Sequence, residues 1–253
     1  MKKLIQKFID YIIAKCLLPS LYRQGLTKSE TLIEKASRFT ACEVVEGDYL
    51  EFGVFQGASL IASYKALENA FKSRITQVEG FDEEVNKKRS KIWNQMHFFA
   101  FDSFEGLPEL ETLDAGTSDF KKGMYACDEK TVQENITNAG ISLERITLIK
   151  GWFSDTCTSD TAREYHIGKA SIIWIDGDLY SSTKDVLVFI QEFLQDGTIL
   201  IFDDWFSYKG NPSMGEQRAF YEWIETPFIK DNYYFHEYQR ESWKRISFIV
   251  NKK

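Results

Sequence analysis

The stretch at 170–175, Ala-Ser-Ile-Ile-Trp-Ile, constrains the fold more than any other part of the sequence. A short run this apolar suits a strand of a parallel sheet covered on both faces, where neither side meets water. Strand patterns also occur at 48–54, 98–102, 145–150 and 198–202, and helical periodicity falls between them. One helix is predicted over 57–71, with Leu60, Ile61, Tyr64 and Leu67 on its buried face. Another is predicted over 131–139, opened by a Thr131/Glu134 capping box and closed by Gly140. A third, over 183–195, takes Ser182 as its cap and stops at Gly197; a fourth spans 215–224. The strands at 233–238 and 245–250 lie too close together for a crossover helix, so they must pair antiparallel. The fold class is therefore α/β: a doubly wound, Rossmann-like sheet of five parallel strands finished by a C-terminal antiparallel hairpin. Residues 73–96 read as a charged helical insertion ahead of the second strand, without an evident role.

Charge narrows the function. Thirty-one Lys and Arg against 38 Asp and Glu give a formal charge of −7. That field repels phosphate backbones, so nucleic acid is not an expected partner, whereas a metal ion or a sulfonium is drawn in. Cys16, Cys42, Cys127 and Cys157 form no CxxC pair, and His97, His166 and His236 stand at no ligand spacing. Zinc sites and a disulfide framework are thereby set aside, and scattered thiols suit a cytoplasmic protein. The first 40 residues read as an amphipathic helical segment carrying Leu4, Ile5, Phe8 and Ile12, expected to act as a lid or an oligomer contact. Its apolar run is interrupted by Lys7, Asp10 and Lys15, so neither a secretory leader nor stable membrane insertion is expected. Residues 41–253 form the expected main domain.

In a doubly wound sheet, ligands sit beyond the carboxyl ends of the strands. After the first strand comes EFGVFQG at 51–57, in which Gly53 and Gly57 permit a tight turn and close backbone approach to a ligand. After the second comes Asp102, placed to accept hydrogen bonds from ribose hydroxyls. Asp176-Gly177-Asp178 follows the fourth strand and Asp203-Asp204 the fifth. Carboxylates converging on one rim favour a cation between them, and oxygen-only ligands select Mg²⁺, Mn²⁺ or Ca²⁺.

Taken in order, EFGVFQG, FDSFEGLP at 101–108, KGWFSDT at 150–156, IDGDLYSST at 175–183 and IFDDW at 201–205 resemble the macrocin O-methyltransferase (TylF-type) family. The resemblance spans roughly 47–225 and implies a class I methyltransferase sheet. It further implies S-adenosylmethionine as methyl donor, a divalent metal (Mg²⁺, or Mn²⁺ in its place), and a sugar or glycoside hydroxyl as acceptor. Carried over by position, Glu51, Gly53, Gln56 and Gly57 hold the methionine end, Asp102 with Ser103 the ribose, and Asp176, Asp203 and Asp204 the metal. Trp152 and Phe153 either stack on the adenine or belong to the core, and Trp205 with Phe206 either wall the acceptor or pack in the core.

Sugar hydroxyls are almost fully protonated at neutral pH, so transfer needs an activated oxygen held in line with the methyl carbon. No histidine lies at a strand end, which leaves Asp176, Asp178 or a residue of the lid as the candidate general base. Two neighbouring hydroxyls on the acceptor would fit a metal that keeps free positions, and Lys121 and Lys122 could offset an anionic acceptor. Two alternatives are a DxD-type glycosyltransferase built on Asp176-Gly177-Asp178 and a non-catalytic cofactor-binding module.

Overall fold

Seven strands hydrogen-bond in the order β3-β2-β1-β4-β5-β7-β6. They are β1 Asp48–Phe52, β2 Phe98–Asp102, β3 Ile146–Lys150, β4 Ala170–Ile175, β5 Ile199–Phe202, β6 Tyr233–Glu241 and β7 Arg245–Lys252. The first five run parallel; β7 is antiparallel to both β5 and β6. The computed structural model describes residues 30–76, 83–114 and 120–253. The chain divides into two units, 1–31 and 32–253. Most of the expected 1–40 segment lies outside the described residues.

Register explains why the strands read as apolar on both sides. One row across the sheet joins Phe99, Leu50, Ile173, Leu200 and Phe248, and the next joins Ala100, Glu51, Trp174, Ile201 and Ser247. Alternate residues therefore feed two cores. Leu50, Phe52, Ile173, Ile175, Leu200 and Phe202 face α7 Tyr180–Ile190, α8 Gly215–Ile224 and α9 Pro227–Asn232 through Val186, Leu187, Phe220 and Ile229. Tyr49, Phe98, Ile172 and Trp174 face α1 Leu32–Glu43, α2 Ala58–Thr76, α3 Glu83–Gln95 and α4 Glu129–Asn138. Each fully buried Leu, Ile or Phe contributes about 1.5–3 kcal/mol, so this double burial dominates the stability of the sheet. Two short helices, α5 Phe153–Thr156 and α6 Ser159–Glu164, lead into β4.

Four local expectations shift. The boundary expected at residue 40 falls inside α1, whose Leu32, Ile33 and Ala36 are buried in the second core. α4 starts at Glu129 because Asp128 caps it, its carboxylate accepting the Thr131 N–H at 3.0 Å. Thr131 is therefore already inside the helix, while Gly140 does close it in a left-handed conformation. α7 starts at Tyr180 rather than Thr183, because its cap comes from another loop. Asp114, 66 residues away, accepts the Tyr180 N–H at 2.6 Å and the Ser181 hydroxyl at 2.9 Å. The 73–96 insertion comprises the end of α2 and all of α3, and its role is packing. Ile92 and Trp93 are buried, and the buried Arg89 donates to the Ala41 carbonyl, tying α3 to the end of α1. Among the described residues no helix is long and apolar enough to cross a membrane.

Candidate active site

The crevice opens where β1 and β4, neighbours in the sheet, send their connections to opposite faces. A cavity of about 390 Å³ lies over the carboxyl ends of β1, β2, β4 and β5, within the size range of small-molecule sites.

One end is built around backbone. Gly53 ends β1 at φ +91°, and a Cβ there would run into the Asp176 carbonyl oxygen of the adjoining strand. Only glycine lets the two strand ends pass this closely. Asp102 fixes the turn that follows: one carboxylate oxygen accepts the Val54 and Phe55 N–H groups at 2.6 and 3.0 Å, the other the Phe104 N–H at 2.7 Å. Ser103 donates to the Gly106 carbonyl and accepts the Glu105 N–H, stitching the next turn. Gly53, Asp102, Ser103, Trp152 and Phe153 all line the cavity. Phe153 also packs edge-on against Phe52 at 5.9 Å, so its ring serves the core as well.

Glu51, Gln56 and Gly57 do not line it. Glu51 points to the other face of the sheet, fully enclosed, accepting hydrogen bonds from Tyr49 at 2.5 Å and Ser59 at 2.6 Å. Burial pushes its carboxyl up to about 7, against the opposing pull of those two hydrogen bonds. The Gln56 carbonyl is held by Asn135, and Gly57 lets the chain turn beside Val132. All three shape the turn from behind.

The other end is built from charge. Carboxylate oxygens of Asp176, Asp178 and Asp204 lie within 4.8 Å of one another. Asp178 stands in the left-handed region at φ +55°, which an aspartate tolerates better than most residues. The converging trio differs from the expected one: it contains Asp178, whereas Asp203 is occupied elsewhere. Asp203 pairs with Arg245 and with Lys244 at 2.7 Å. Lys244 also reaches Asp204 at 3.0 Å, and Ser207 donates to the same Asp204 oxygen at 2.8 Å. Beneath them Glu216, 1% exposed, accepts the Asp204 N–H at 3.0 Å.

Burial first, then Asp203, Asp178 and Asp204, raise the Asp176 carboxyl well above the usual carboxylate range; Lys244 opposes them. Burial and Asp204 raise Asp178 in the same sense. Burial works to lower Lys244, but Asp204 and Asp203 outweigh it and hold the ammonium charged. The second oxygen of Asp204 is buried without a hydrogen-bond partner among the described residues. A buried carboxylate oxygen left open beside two further carboxylates fits a hard divalent cation.

Lys244, Arg245, Glu216 and Asp114 were not among the sequence candidates. For the first two a signal existed: the turn before an antiparallel strand beside β5 must lie on the rim where the parallel strands end. For Glu216 and Asp114 the sequence offers none. Ser182, the expected helix cap, lines the cavity with Ser181; Lys122 pairs with Glu109 at 2.5 Å, and Trp205 is buried against Phe202, Phe220 and Phe248.

The family profile of macrocin-O-methyltransferase (TylF) matches residues 85–230. The chain belongs to this family. The matched stretch holds FDSFEGLP, KGWFSDT, IDGDLYSST and IFDDW, while the glycine turn at 51–57 lies ahead of it. The 8-demethyl-8-(2,3-dimethoxy-alpha-L-rhamnosyl)-tetracenomycin-C 4'-O-methyltransferase of Streptomyces olivaceus is 28% identical over 167 residues, 64% of this chain and 54% of its own. The mycinamicin III 3''-O-methyltransferase of Micromonospora griseorubida is 25% identical over 169 residues, 64% of this chain and 56% of its own. The chain thus spans about half the length of the curated relatives it matches. Among solved structures, the O-methyltransferase NovP superimposes with a TM-score of 0.60 at 21% identity, over 86% of this chain and 77% of that one. The calicheamicin methyltransferase CalS11 gives 0.58 at 19%, over 86% and 76%. These structures share the TylF-family chain's doubly wound fold. Neither the glycosyltransferase nor the non-catalytic alternative draws support from these relatives.

Proposed function

We propose that this chain transfers a methyl group from S-adenosylmethionine to a hydroxyl of a sugar or glycosylated small molecule, with a divalent cation, Mg²⁺ or Mn²⁺, in the acid cluster. The observation that carries the reading is that one cavity joins the backbone-built end at Gly53 and Asp102 to the carboxylate-built end at Asp176, Asp178 and Asp204. The relatives' names support the acceptor class: one acts on a rhamnosyl-tetracenomycin, another on mycinamicin III.

In this reading Gly53 and the Asp102 turn receive the methionine and ribose of the donor, and Trp152 borders its adenine. Asp176 and Asp204 would hold the cation, which has to compete with Lys244 for Asp204, while Asp203 stays paired with Lys244 and Arg245. When bound, the cation supplies Lewis-acid polarisation of the acceptor hydroxyl. Asp178 takes the hydroxyl proton on a carboxylate oxygen. The freed oxygen pair then forms the O–CH₃ bond as the methyl–sulfur bond breaks, and the thioether leaves neutral. Holding both reactants in one cavity converts an encounter into an oriented transfer.

The test uses methyl α-L-rhamnopyranoside as acceptor probe, with mass-spectrometric detection of product and calorimetric titration of S-adenosylhomocysteine. Methylation is expected, with loss of about 100-fold or more on chelation or in Asp204→Asn, while S-adenosylhomocysteine affinity changes less than about twofold. Undiminished turnover in Asp204→Asn would overturn the acid-cluster assignment. No binding of the donor product would overturn the methyltransferase reading itself.

A further inference from the structure

Two aromatic side chains stand at the cavity where core packing does not account for them. Phe55 is 40% exposed and Tyr125 is 44% exposed. They meet edge to face, ring centroids 5.8 Å apart at 81°, and both line the cavity. Both sit in the left-handed region, at φ +47° and +60°, where a bulky residue is a true outlier and strain is of order 1 kcal/mol or more.

Each is held from behind. The Phe55 N–H is fixed by Asp102, and the following carbonyl by Asn135. Met124, beside Tyr125, packs on the small cluster of Leu107, Phe120, Leu179 and Tyr208, and its carbonyl accepts the Leu107 N–H at 2.9 Å. The rings are thus presented to solvent on braced loops. Position completes the picture. Phe55 follows the glycine turn at the donor end, while the charges that act on the Tyr125 hydroxyl are those of Asp178, Asp204, Lys244 and Asp176.

A pyranose has a face of C–H bonds and a rim of hydroxyls, so it needs a flat apolar surface beside polar groups. Tyr125 and the acid cluster provide the two side by side. We propose that Tyr125, buttressed edge-on by Phe55, is the platform on which the acceptor's sugar ring stacks, its hydroxyl rim turned toward Asp178 and Asp204. The platform selects the ring and its orientation; it takes no part in proton or methyl transfer. This inference rests on the glycoside-methyltransferase reading and goes beyond it by naming what positions the sugar.

The experiment compares wild type, Tyr125→Ala and Tyr125→Phe with methyl α-L-rhamnopyranoside as the probe. It measures KM and kcat, saturation transfer from protein to the sugar C–H protons, and S-adenosylhomocysteine affinity. In Tyr125→Ala, KM should rise about tenfold, the upper end of an aromatic stacking contribution, and saturation transfer should fall. kcat and donor-product affinity should stay within about twofold, the latter also reporting that the variant folds. Tyr125→Phe should restore KM, because a ring rather than a hydroxyl does the stacking. An unchanged KM in Tyr125→Ala, or a failure of Tyr125→Phe to restore it, overturns the platform and leaves the methyltransferase reading standing. If wild type neither binds nor methylates the probe, the glycoside reading falls and this inference falls with it.

Discussion

At the Gly53 end of the cavity the important polar contacts involve the main chain. Gly53 sits against the Asp176 carbonyl, and Asp102 gathers three backbone N–H groups. At the acid-cluster end the contacts are between charged side chains, four aspartates with Lys244 and Arg245, while Glu216 beneath them accepts the Asp204 N–H. The two ends therefore fail in different ways. A cradle of backbone depends on conformation, so it breaks when a side chain is forced into it and is largely indifferent to ionic strength. A cluster of charges depends on balance, so it responds to the loss of any one member.

The largest effect should come from the backbone end. Gly53→Val places a branched side chain at φ +91° against a strand carbonyl. S-adenosylhomocysteine affinity, read by calorimetry, should fall about 1,000-fold or more. A variant that binds within tenfold of wild type would show that the cradle is not conformational.

Glu51 sharpens the comparison because it is an acid buried at the backbone end among neutral hydroxyls. Its carboxyl, ordinarily near 4.5, is pushed up to about 7 by burial. The unfolded chain therefore releases this proton first, and stability falls as pH rises from about 4.5 to about 7, by up to about 3 kcal/mol, then levels off. Glu51→Gln keeps an acceptor for Ser59, and Tyr49 retains Ser63 at 2.9 Å as its own acceptor. Urea unfolding at pH 5 and pH 8 should show the variant gaining on wild type at the higher pH. Parallel pH dependence in the two proteins would refute the assignment.

The smallest effect should come from Asp114, which belongs to the side-chain style of construction. Asp114→Ala removes the cap of α7 and should lower stability by about 1 kcal/mol in the same unfolding assay. Asp114→Asn, which can still accept the Tyr180 N–H, should lose less. Equal losses would mean that charge rather than capping matters there.

What could be read from the sequence follows the same division. The strands themselves and the positions of Gly53, Asp102, Asp176 and Asp204 were legible, because apolar runs mark the strands and a parallel sheet puts its ligand at their carboxyl ends. The pairing of acids was less so. Asp203 and Asp204 are neighbours in sequence, but successive side chains at a strand end point to opposite faces, and Asp203 faces Arg245. Asp178 joins the cluster from a left-handed backbone position two residues beyond Asp176, a conformation that the sequence does not announce. Lys244 and Asp114 come from loops 40 and 66 residues from their partners, beyond the reach of any local pattern.

The place of β7 in the sheet has a consequence for how the molecule is made. It lies between β5 and β6, although both precede it in the chain. As the polypeptide leaves the ribosome, β6 finds its ladder partner only when β7 arrives, and the outer edge of Ile199–Phe202 stays open until then. The sheet is finished by insertion, not by addition at a margin. Lys244 and Arg245 travel with the inserting strand. A nascent chain stalled between β6 and β7 therefore carries both an unpaired apolar edge, ready to recruit another chain, and a nest of acids without counter-ions. One docking event removes both hazards at once.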